Sequence, residues 1–179
     1  MHGLSYVMKI LGPPYDSRSI ANFIIAYANS EQESVTNLQL LKILYFCHGW
    51  YLLKNDTALI KDRFEAWKYG PVIRQVYDNF KEFKDDPICK MATKFDTTSL
   101  THTEVIPEIN RDDRSFIIGI YKSYSTIHAY DLIRLTHEEG SPWHEMWVVN
   151  SKKVHVGMYI SNERIRDHFS LISRNQPQH

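Results

Sequence analysis

Histidines are the residues best suited to chemistry in this chain, with nine among 179 residues. The densest acid–histidine group is the stretch HEEGSPWH over residues 137–144. A zinc-hydrolase helix carries two histidines four residues apart, whereas Gly140 and Pro142 separate His137 from His144 and break the helix between them. We therefore expect His137 to cap a helix end, where its partial positive charge suits the helix dipole, rather than to bind a metal.

A second chemical candidate is the pair Cys47–His48. Both residues lie inside one predicted helix, where neighbouring side chains point about 100° apart and cannot pair as nucleophile and base. The sequence favours His48 as a core histidine with its hydrogen bonds satisfied.

Other catalytic motifs are absent from the sequence: it contains neither a glycine-rich phosphate loop nor a GxSxG elbow. The acidic pairs at 85–86 and 112–113 are predicted to be solvated helix ends. No catalytic constellation, cofactor site or metal site is recognisable. An enzyme of unknown type remains an alternative, and its site would gather four residues around Trp67 and Trp143. These are His48, Tyr69, His137 and Glu138.

Charge bears on the class of partner. Lys plus Arg equals Asp plus Glu at 21 each, so the formal net charge is zero. This balance argues against a strong grip on nucleic acid and favours association with proteins, including a second copy of the chain. The basic residues Arg111, Arg114, Lys122 and Lys152–Lys153 alternate with tyrosines, and we interpret them as a solvated face. The alternative is a nucleic-acid-associated mobile-element protein.

Two aromatic segments, FEAWKYGP and SPWHEMW, stand beside Gly-Pro and Ser-Pro breaks. They contribute Trp67, Tyr69, Trp143 and Trp147. Tryptophans in such positions either fill the core or anchor a partner protein, because Trp and Tyr dominate binding hot spots. Core filling is the stronger prediction for Trp67 and Trp143.

These residues must be positioned by a central helix over residues 36–53, TNLQLLKILYFCHGWYLL. Its side chains are apolar nearly all round, which predicts burial on most sides. Gln39, Lys42 and Gly49 leave a thin polar stripe, and the helix is too polar to span a bilayer. Gly49 predicts the close approach of a backbone or an aromatic ring. The fold class is therefore mainly α, a compact helical domain wrapped around a central buried helix, with a few short strands or extended segments.

Periodicity and capping residues define the remaining elements. Helices are predicted over residues 18–29, 72–83, 111–124, 129–137, 143–149 and from 161 or 162 to about 171. Residues 63–67 alternate and predict a strand, and Pro71 suits the first position of the helix that follows. Residues 88–110 are either a long loop or one or two edge strands, and 151–159 are a loop or a short strand.

We expect one domain over residues 16–172, with an extension at 1–15, an insertion at 88–110 and a polar tail at 173–179. The extension is either partly disordered or a short strand against the core. Cys47 and Cys89 do not form a disulfide framework, and the N-terminus lacks the features of a signal peptide. Both observations predict a reduced, cytoplasmic protein.

Three motifs in order resemble the Panacea domain family of SocA-like and GepA-like proteins. They are TNLQLLKILYFCHGWYL at 36–52, FEAWKYGPV at 64–72, and LTH at 135–137 followed by SPW at 141–143. The closing IRDHF at 165–169 is similar to the last helix of the family, which usually ends in an aromatic pair. His168 takes the first place of that pair.

The resemblance implies a mostly helical domain of bacteria, their phages and mobile elements that acts as an antitoxin. Members neutralise unrelated toxins by direct binding, and the partner would be a cognate toxin encoded by an adjacent gene. In one branch the antitoxin also delivers its toxin to a protease. The family has no established catalytic residues, so the family-motif and partner-binding candidates are Trp67, Tyr69, Pro71, His137 and Trp143.

Overall fold

The central helix predicted from the sequence is the element on which most of the others pack. A computed structural model describes residues 12–149 and 157–175. In these two ranges the α-helices are α1 Ser17–Ser30, α2 Asn37–Asn55, α3 Arg74–Phe80, α4 Arg111–Tyr124, α5 Ala129–Thr136, α6 Pro142–Val149 and α7 Asn162–Asn175, and a short 3₁₀ helix, Lys81–Phe83, follows α3. The strands are β1 Phe64–Trp67, β2 Gly70–Val72, β3 Thr93–Asp96, β4 Thr101–Glu104 and β5 Tyr159–Ile160. The mainly α prediction is confirmed.

Helix α2 begins with a reciprocal capping box. The Thr36 side chain accepts from the Gln39 amide, and the Gln39 side chain accepts from the Thr36 amide. This satisfies two backbone donors that a helix N-terminus otherwise leaves free. Buried residues then follow on every face from Asn37 to Leu52, and α1, α3, α4, α5, α7 and β2 all contact this helix. The predicted wrapping of a central rod is confirmed.

Gly49 is the point of closest approach on α2. A Cβ built there would collide with the Phe169 ring of α7, so the predicted aromatic neighbour is confirmed. Phe169 is 1% exposed and packs edge-on against Tyr45, Phe46 and Trp50. This aromatic cluster attaches α7 to the central helix.

Two antiparallel sheets complete the described fold. The first has the strand order β2–β1–β5, with Trp67 opposite Gly70 and Phe64 opposite Ile160. The second is the β3–β4 hairpin, which realises the strand alternative for residues 88–110. The prediction of a helix starting at 72 is wrong, because Pro71 lies in β2 and α3 begins at Arg74. Pairing with β1 outweighs the local preference of proline for a helix start.

A second correction concerns α4, where Asp113 was predicted to be solvated. Asp113 is 6% exposed and accepts hydrogen bonds from the hydroxyls of Tyr15 (2.7 Å) and Tyr51 (2.9 Å). Tyr121, which was grouped with a basic face, is 1% exposed, and its hydroxyl donates to Glu33. These contacts attach one face of α4 to the core, while Arg111, Arg114 and Lys122 remain exposed on the other, as expected for a solvated face.

Some predictions lie partly outside the described residues. Residues 1–11 of the extension and 150–156 before β5 are among these. Within the extension, Tyr15 forms an isolated parallel bridge with Ile60. No helix in the described ranges is long and apolar enough to cross a membrane.

Candidate functional site

The family-like motifs converge on one buried cation, the side chain of Lys42. It lies on α2, is 0% exposed and donates a hydrogen bond to the backbone carbonyl of Pro71 in β2 (2.9 Å). Burial lowers the pKa of Lys42 to about 7, since removal from water penalises the charged ammonium. No carboxylate in the described ranges bonds to this ammonium. The lysine is therefore held by a single neutral acceptor.

Gly70 closes the space over the tip of Lys42. Its φ angle is +102°, which disfavours any residue with a Cβ atom. A Cβ built there would lie 2.7 Å from both the Lys42 Nζ atom and the Thr136 Oγ1 atom. The Tyr-Gly-Pro break thus lets backbone lie directly against the lysine and excludes solvent from it.

His137 lies on the other side of this cluster, at the C-terminal end of α5. Its amide donates to the carbonyls of Ile133 and Arg134, which confirms its predicted place at a helix end. Its ring stacks on Trp143 with centroids 3.4 Å apart and planes 1° apart. The Nε2 atom is buried and lacks a hydrogen-bond partner. Burial, aided by nearby Lys42 and His144, lowers the pKa of His137 to about 4. The ring is therefore neutral near pH 7, so the positive charge that was predicted to interact with the helix dipole is absent.

Trp143 joins the third motif to the second. Its indole Nε1 donates to the carbonyl of Trp67 at 2.7 Å, and the side chain is 6% exposed. Ser141, just before α6, donates to the Thr136 carbonyl (2.9 Å) and accepts from the His144 amide (3.1 Å). The Ser-Pro-Trp sequence thus starts α6 and fixes the indole against β1.

Trp67 is half-buried and held on two sides. Its Nε1 donates to Glu65 (2.9 Å), which also binds Arg74 at 2.6 Å. The Arg74 guanidinium lies 5.0 Å from the Trp67 ring centroid, and the Tyr77 ring packs edge-on at 4.9 Å. These contacts favour the core-filling alternative for both tryptophans.

Tyr69 behaves differently from the other aromatic candidates, because 53% of it is exposed. It lies on the rim of a groove of about 340 Å³, here called the tyrosine groove. Besides three tyrosines, the residues that line this groove are Asn37, Leu38, Leu41, Lys81, Lys84, Asp85 and Ile133. The tyrosines are Tyr69, Tyr77 and Tyr130. This groove opens beside the closed Lys42 cluster.

The residues of the enzyme alternative are not brought together. His48 accepts from the Ile60 amide at Nδ1 (3.3 Å) and pairs with Asn162 through Nε2 (3.0 Å), so its predicted role as a satisfied core histidine is confirmed. Burial lowers the pKa of His48 to about 4. Glu138 and Tyr69 are exposed. Across the described ranges, no group of three or more His, Cys, Asp and Glu side chains could hold a metal.

Sequence reasoning missed two residues of this region. The sequence predicts Lys42 only as part of a polar stripe and Asn37 only as a capping residue. The available signal for Lys42 was its position within an otherwise apolar helix, since a lysine is seldom fully buried. Nothing in the sequence indicates that Asn37 would lie unpaired beside a groove.

Comparison with known proteins places these features in a family. The family model described as "Antitoxin SocA-like, Panacea domain" matches residues 40–144, a range that contains Lys42, Gly70, His137 and Trp143. Antitoxin SocA of Caulobacter vibrioides (strain NA1000 / CB15N) is 31% identical over 154 residues, which cover 86% of this chain and 82% of that protein. No solved structure gives a significant match. The chain therefore belongs to the SocA-like antitoxin family, whose members carry the Panacea domain.

Proposed function

We propose that this protein is an antitoxin that neutralises a cognate toxin by direct protein–protein binding. The observation that carries the proposal is the similarity to Antitoxin SocA over 86% of the chain. The geometry is compatible with it, because the sequence motifs build a closed cluster around Lys42 and leave exposed tyrosines next to it.

The arrangement favours binding over catalysis. Lys42, whose pKa is lowered by burial, is fully enclosed, so a substrate cannot reach its amine. The His137 ring is stacked on Trp143, and its Nε2 atom is buried without a hydrogen-bond partner. A catalytic acid or base must reach a reacting group within hydrogen-bond distance, and neither the Lys42 Nζ atom nor the His137 Nε2 atom offers such access.

Co-expression tests the proposal. The reading frame next to this gene is expressed in a bacterial host with and without the antitoxin, and growth is measured. We expect growth arrest by the neighbour alone, rescue by co-expression, and a complex that co-purifies at fixed stoichiometry. An unrelated reading frame of similar length serves as the control. A harmless neighbour, or rescue without any complex, contradicts direct neutralisation.

The same strains distinguish blocking from delivery to a protease. Direct neutralisation predicts that the toxin accumulates in the complex while growth continues. A toxin that disappears when the antitoxin is present, and that returns when the host protease is deleted, would replace simple blocking with delivery for degradation.

A further inference from the structure

We propose that the tyrosine groove holds an extended segment of the toxin that carries an aliphatic side chain followed by acidic residues. The inference rests on the proposed function and specifies the surface and the chemistry of the contact. It draws on three features of the groove: exposed tyrosines over apolar walls, an unpaired buried amide, and an excess of positive charge.

The first feature is the shape and composition of the groove. Tyr69 is 53% exposed and Tyr130 is 67% exposed, and both are anchored at their bases, Tyr69 by the β1–β2 turn and Tyr130 by α5. Tyrosine offers a large contact area with few rotatable bonds, so little conformational entropy is lost on binding. The apolar side chains of Leu38, Leu41 and Ile133 line the space between them. Such a groove fits an aliphatic side chain flanked by peptide backbone.

The second feature is the side chain of Asn37, the first residue of α2. Asn37 is 5% exposed and lines the groove, and its Oδ1 atom is buried without a hydrogen-bond partner. An unsatisfied buried acceptor costs free energy that a bound donor can recover. A backbone N–H of an extended segment bound in the groove would supply the donor that Asn37 Oδ1 lacks.

The third feature is charge. Asn37 begins α2 and Tyr130 lies in the first turn of α5, so the positive ends of two helix dipoles meet at the groove. Lys81 and Lys84 line its edge, and Lys68 lies 5.0 Å from the Tyr69 ring. Asp78 pairs with Lys81 at 2.9 Å, and Asp85 is the carboxylate that lines the groove itself. Lys68, Lys81 and Lys84 against Asp78 and Asp85 leave one positive charge, which favours a segment with carboxylates.

The first test compares variants within the co-expressed complex of the proposed function. The double variant Tyr69→Ala/Tyr130→Ala should weaken binding of the neighbouring gene product about 100-fold, as expected for two hot-spot tyrosines. The matched control is Tyr159→Ala, since Tyr159 is also exposed, at 46%, but lies on β5. Equal binding by the wild type, the double variant and the Tyr159 variant would overturn the proposed binding groove while leaving direct neutralisation intact.

The second test separates the amide from the charge. Asn37→Leu removes the acceptor and should weaken binding about tenfold at every salt concentration. Lys84→Glu should weaken binding about tenfold at 50 mM salt and progressively less at higher salt, because exposed charges are screened. Lys94→Glu makes the same change on exposed Lys94 in β3 and should leave binding unchanged. Loss of binding in the Lys94 variant alone would overturn the assignment of toxin binding to the tyrosine groove.

Cross-linking tests the surface without relying on weakened binding. The photoreactive residue p-benzoylphenylalanine replaces Tyr69, Tyr130 or, as the control, Tyr159 in the co-expressed antitoxin. We expect cross-links from positions 69 and 130 to one toxin peptide that contains an aliphatic residue next to Asp or Glu. Cross-links from 159 alone would overturn the groove, and cross-links from 69 to a second antitoxin copy would reassign it to self-association. A wild-type antitoxin that captures no neighbouring gene product contradicts the proposed function itself.

Discussion

The two ends of helix α2 differ in whether their buried polar groups have hydrogen-bond partners. Near the C-terminal end, both ring nitrogens of His48 have partners, the Ile60 amide and Asn162. Near the N-terminal end, Lys42 has one acceptor for its ammonium, and the nearby atoms Asn37 Oδ1 and His137 Nε2 have none. The two unpaired buried atoms found in the described ranges thus belong to Asn37 and to His137 near Lys42, and neither lies at the His48 end.

This difference separates a structural frame, the packing around His48, Gly49 and Phe169, from a binding surface, the region around Asn37, Lys42 and His137. A buried polar atom without a partner costs about 1–3 kcal/mol, whereas a paired one is close to neutral. Stability alone would favour apolar residues at positions 37 and 137, as it favours aromatic residues around Gly49. Binding and reacting sites commonly sacrifice stability for function. We therefore expect substitutions near the N-terminal end of α2, where the unpaired atoms lie, to change toxin binding more than substitutions near the C-terminal end.

The largest expected effect on stability comes from the C-terminal end of α2, where the buried polar groups have partners. Phe169→Ala removes the ring that packs on Gly49, Tyr45 and Trp50, and it should lower the free energy of unfolding by about 3–5 kcal/mol. Urea denaturation measures this change. Phe95→Ala provides the control, because Phe95 is 53% exposed on β3 and its loss should cost less than about 0.5 kcal/mol.

Equal costs for the two substitutions would mean that α7 does not belong to the core frame. The folded fraction of the Phe169 variant should still bind toxin with unchanged affinity, since the ring lies far along α2 from Asn37. Reduced affinity of that fraction would break the proposed division between frame and surface.

The next effect concerns the pH dependence of stability caused by Lys42. Burial lowers the folded-state pKa of Lys42 to about 7, while the unfolded value is about 10.4. Between these values the unfolded chain binds the extra proton, so stability rises with pH by about 1.4 kcal/mol per unit and falls as pH decreases toward 7. Lys42→Met should remove this slope between about pH 7.5 and 9.5.

Denaturation midpoints of both proteins across that range measure the difference. We expect the methionine variant to be the more stable one at pH 7 and the two curves to converge at high pH. Parallel curves would show that the ammonium keeps an ordinary pKa in the folded protein, which would require water or a counter-charge beside it.

Much of the frame could be predicted from sequence because its signals are local. The all-round apolar pattern of α2, its capping residues and the glycine at position 49 each specify one physical requirement that a reader of the sequence can state. The start of α1 likewise follows from Asp16, whose side chain accepts from the backbone amide of Arg18.

Predictions from local sequence patterns fail where contacts with distant parts of the chain determine the structure. Asp113 has the local pattern of a solvated helix start, but its tyrosine partners lie 98 and 62 positions away in the sequence. Pro71 has the pattern of a helix start, but pairing with β1 places it in a strand. The same reasoning explains the site: Trp67, His137 and Trp143 stand in recognisable motifs, whereas an unpaired amide at Asn37 is a property of tertiary packing.

A matched pair of histidine substitutions gives the third effect. His48→Phe leaves the Ile60 amide and Asn162 without their partner and should cost about 1–3 kcal/mol. His137→Phe keeps an aromatic ring on Trp143 and removes an unpaired nitrogen, so stability should stay equal or rise. Both folded-state pKa values are about 4 against 6.5 unfolded, so each variant should also lose less stability than wild type on acidification from pH 6.5 to 4.

Similar costs for the two histidine variants would break the comparison, because they would imply that His137 Nε2 has a partner in solution, such as a buried water. Thermal melts at pH 7 and pH 5 give both the cost and its pH dependence from the same samples.

The smallest effect on stability belongs to Asn37. Asn37→Leu places an apolar side chain at a position that is 5% exposed and removes an acceptor that has no partner, so the free energy of unfolding should rise by about 1 kcal/mol. The helix start is retained because Thr36 and Gln39, not Asn37, form the capping box. Thr36→Ala is the contrasting control, since loss of a cap costs about 1 kcal/mol. A leucine variant that is more stable and yet binds toxin more weakly would assign Asn37 to recognition, whereas a less stable one would show that its amide supports the fold.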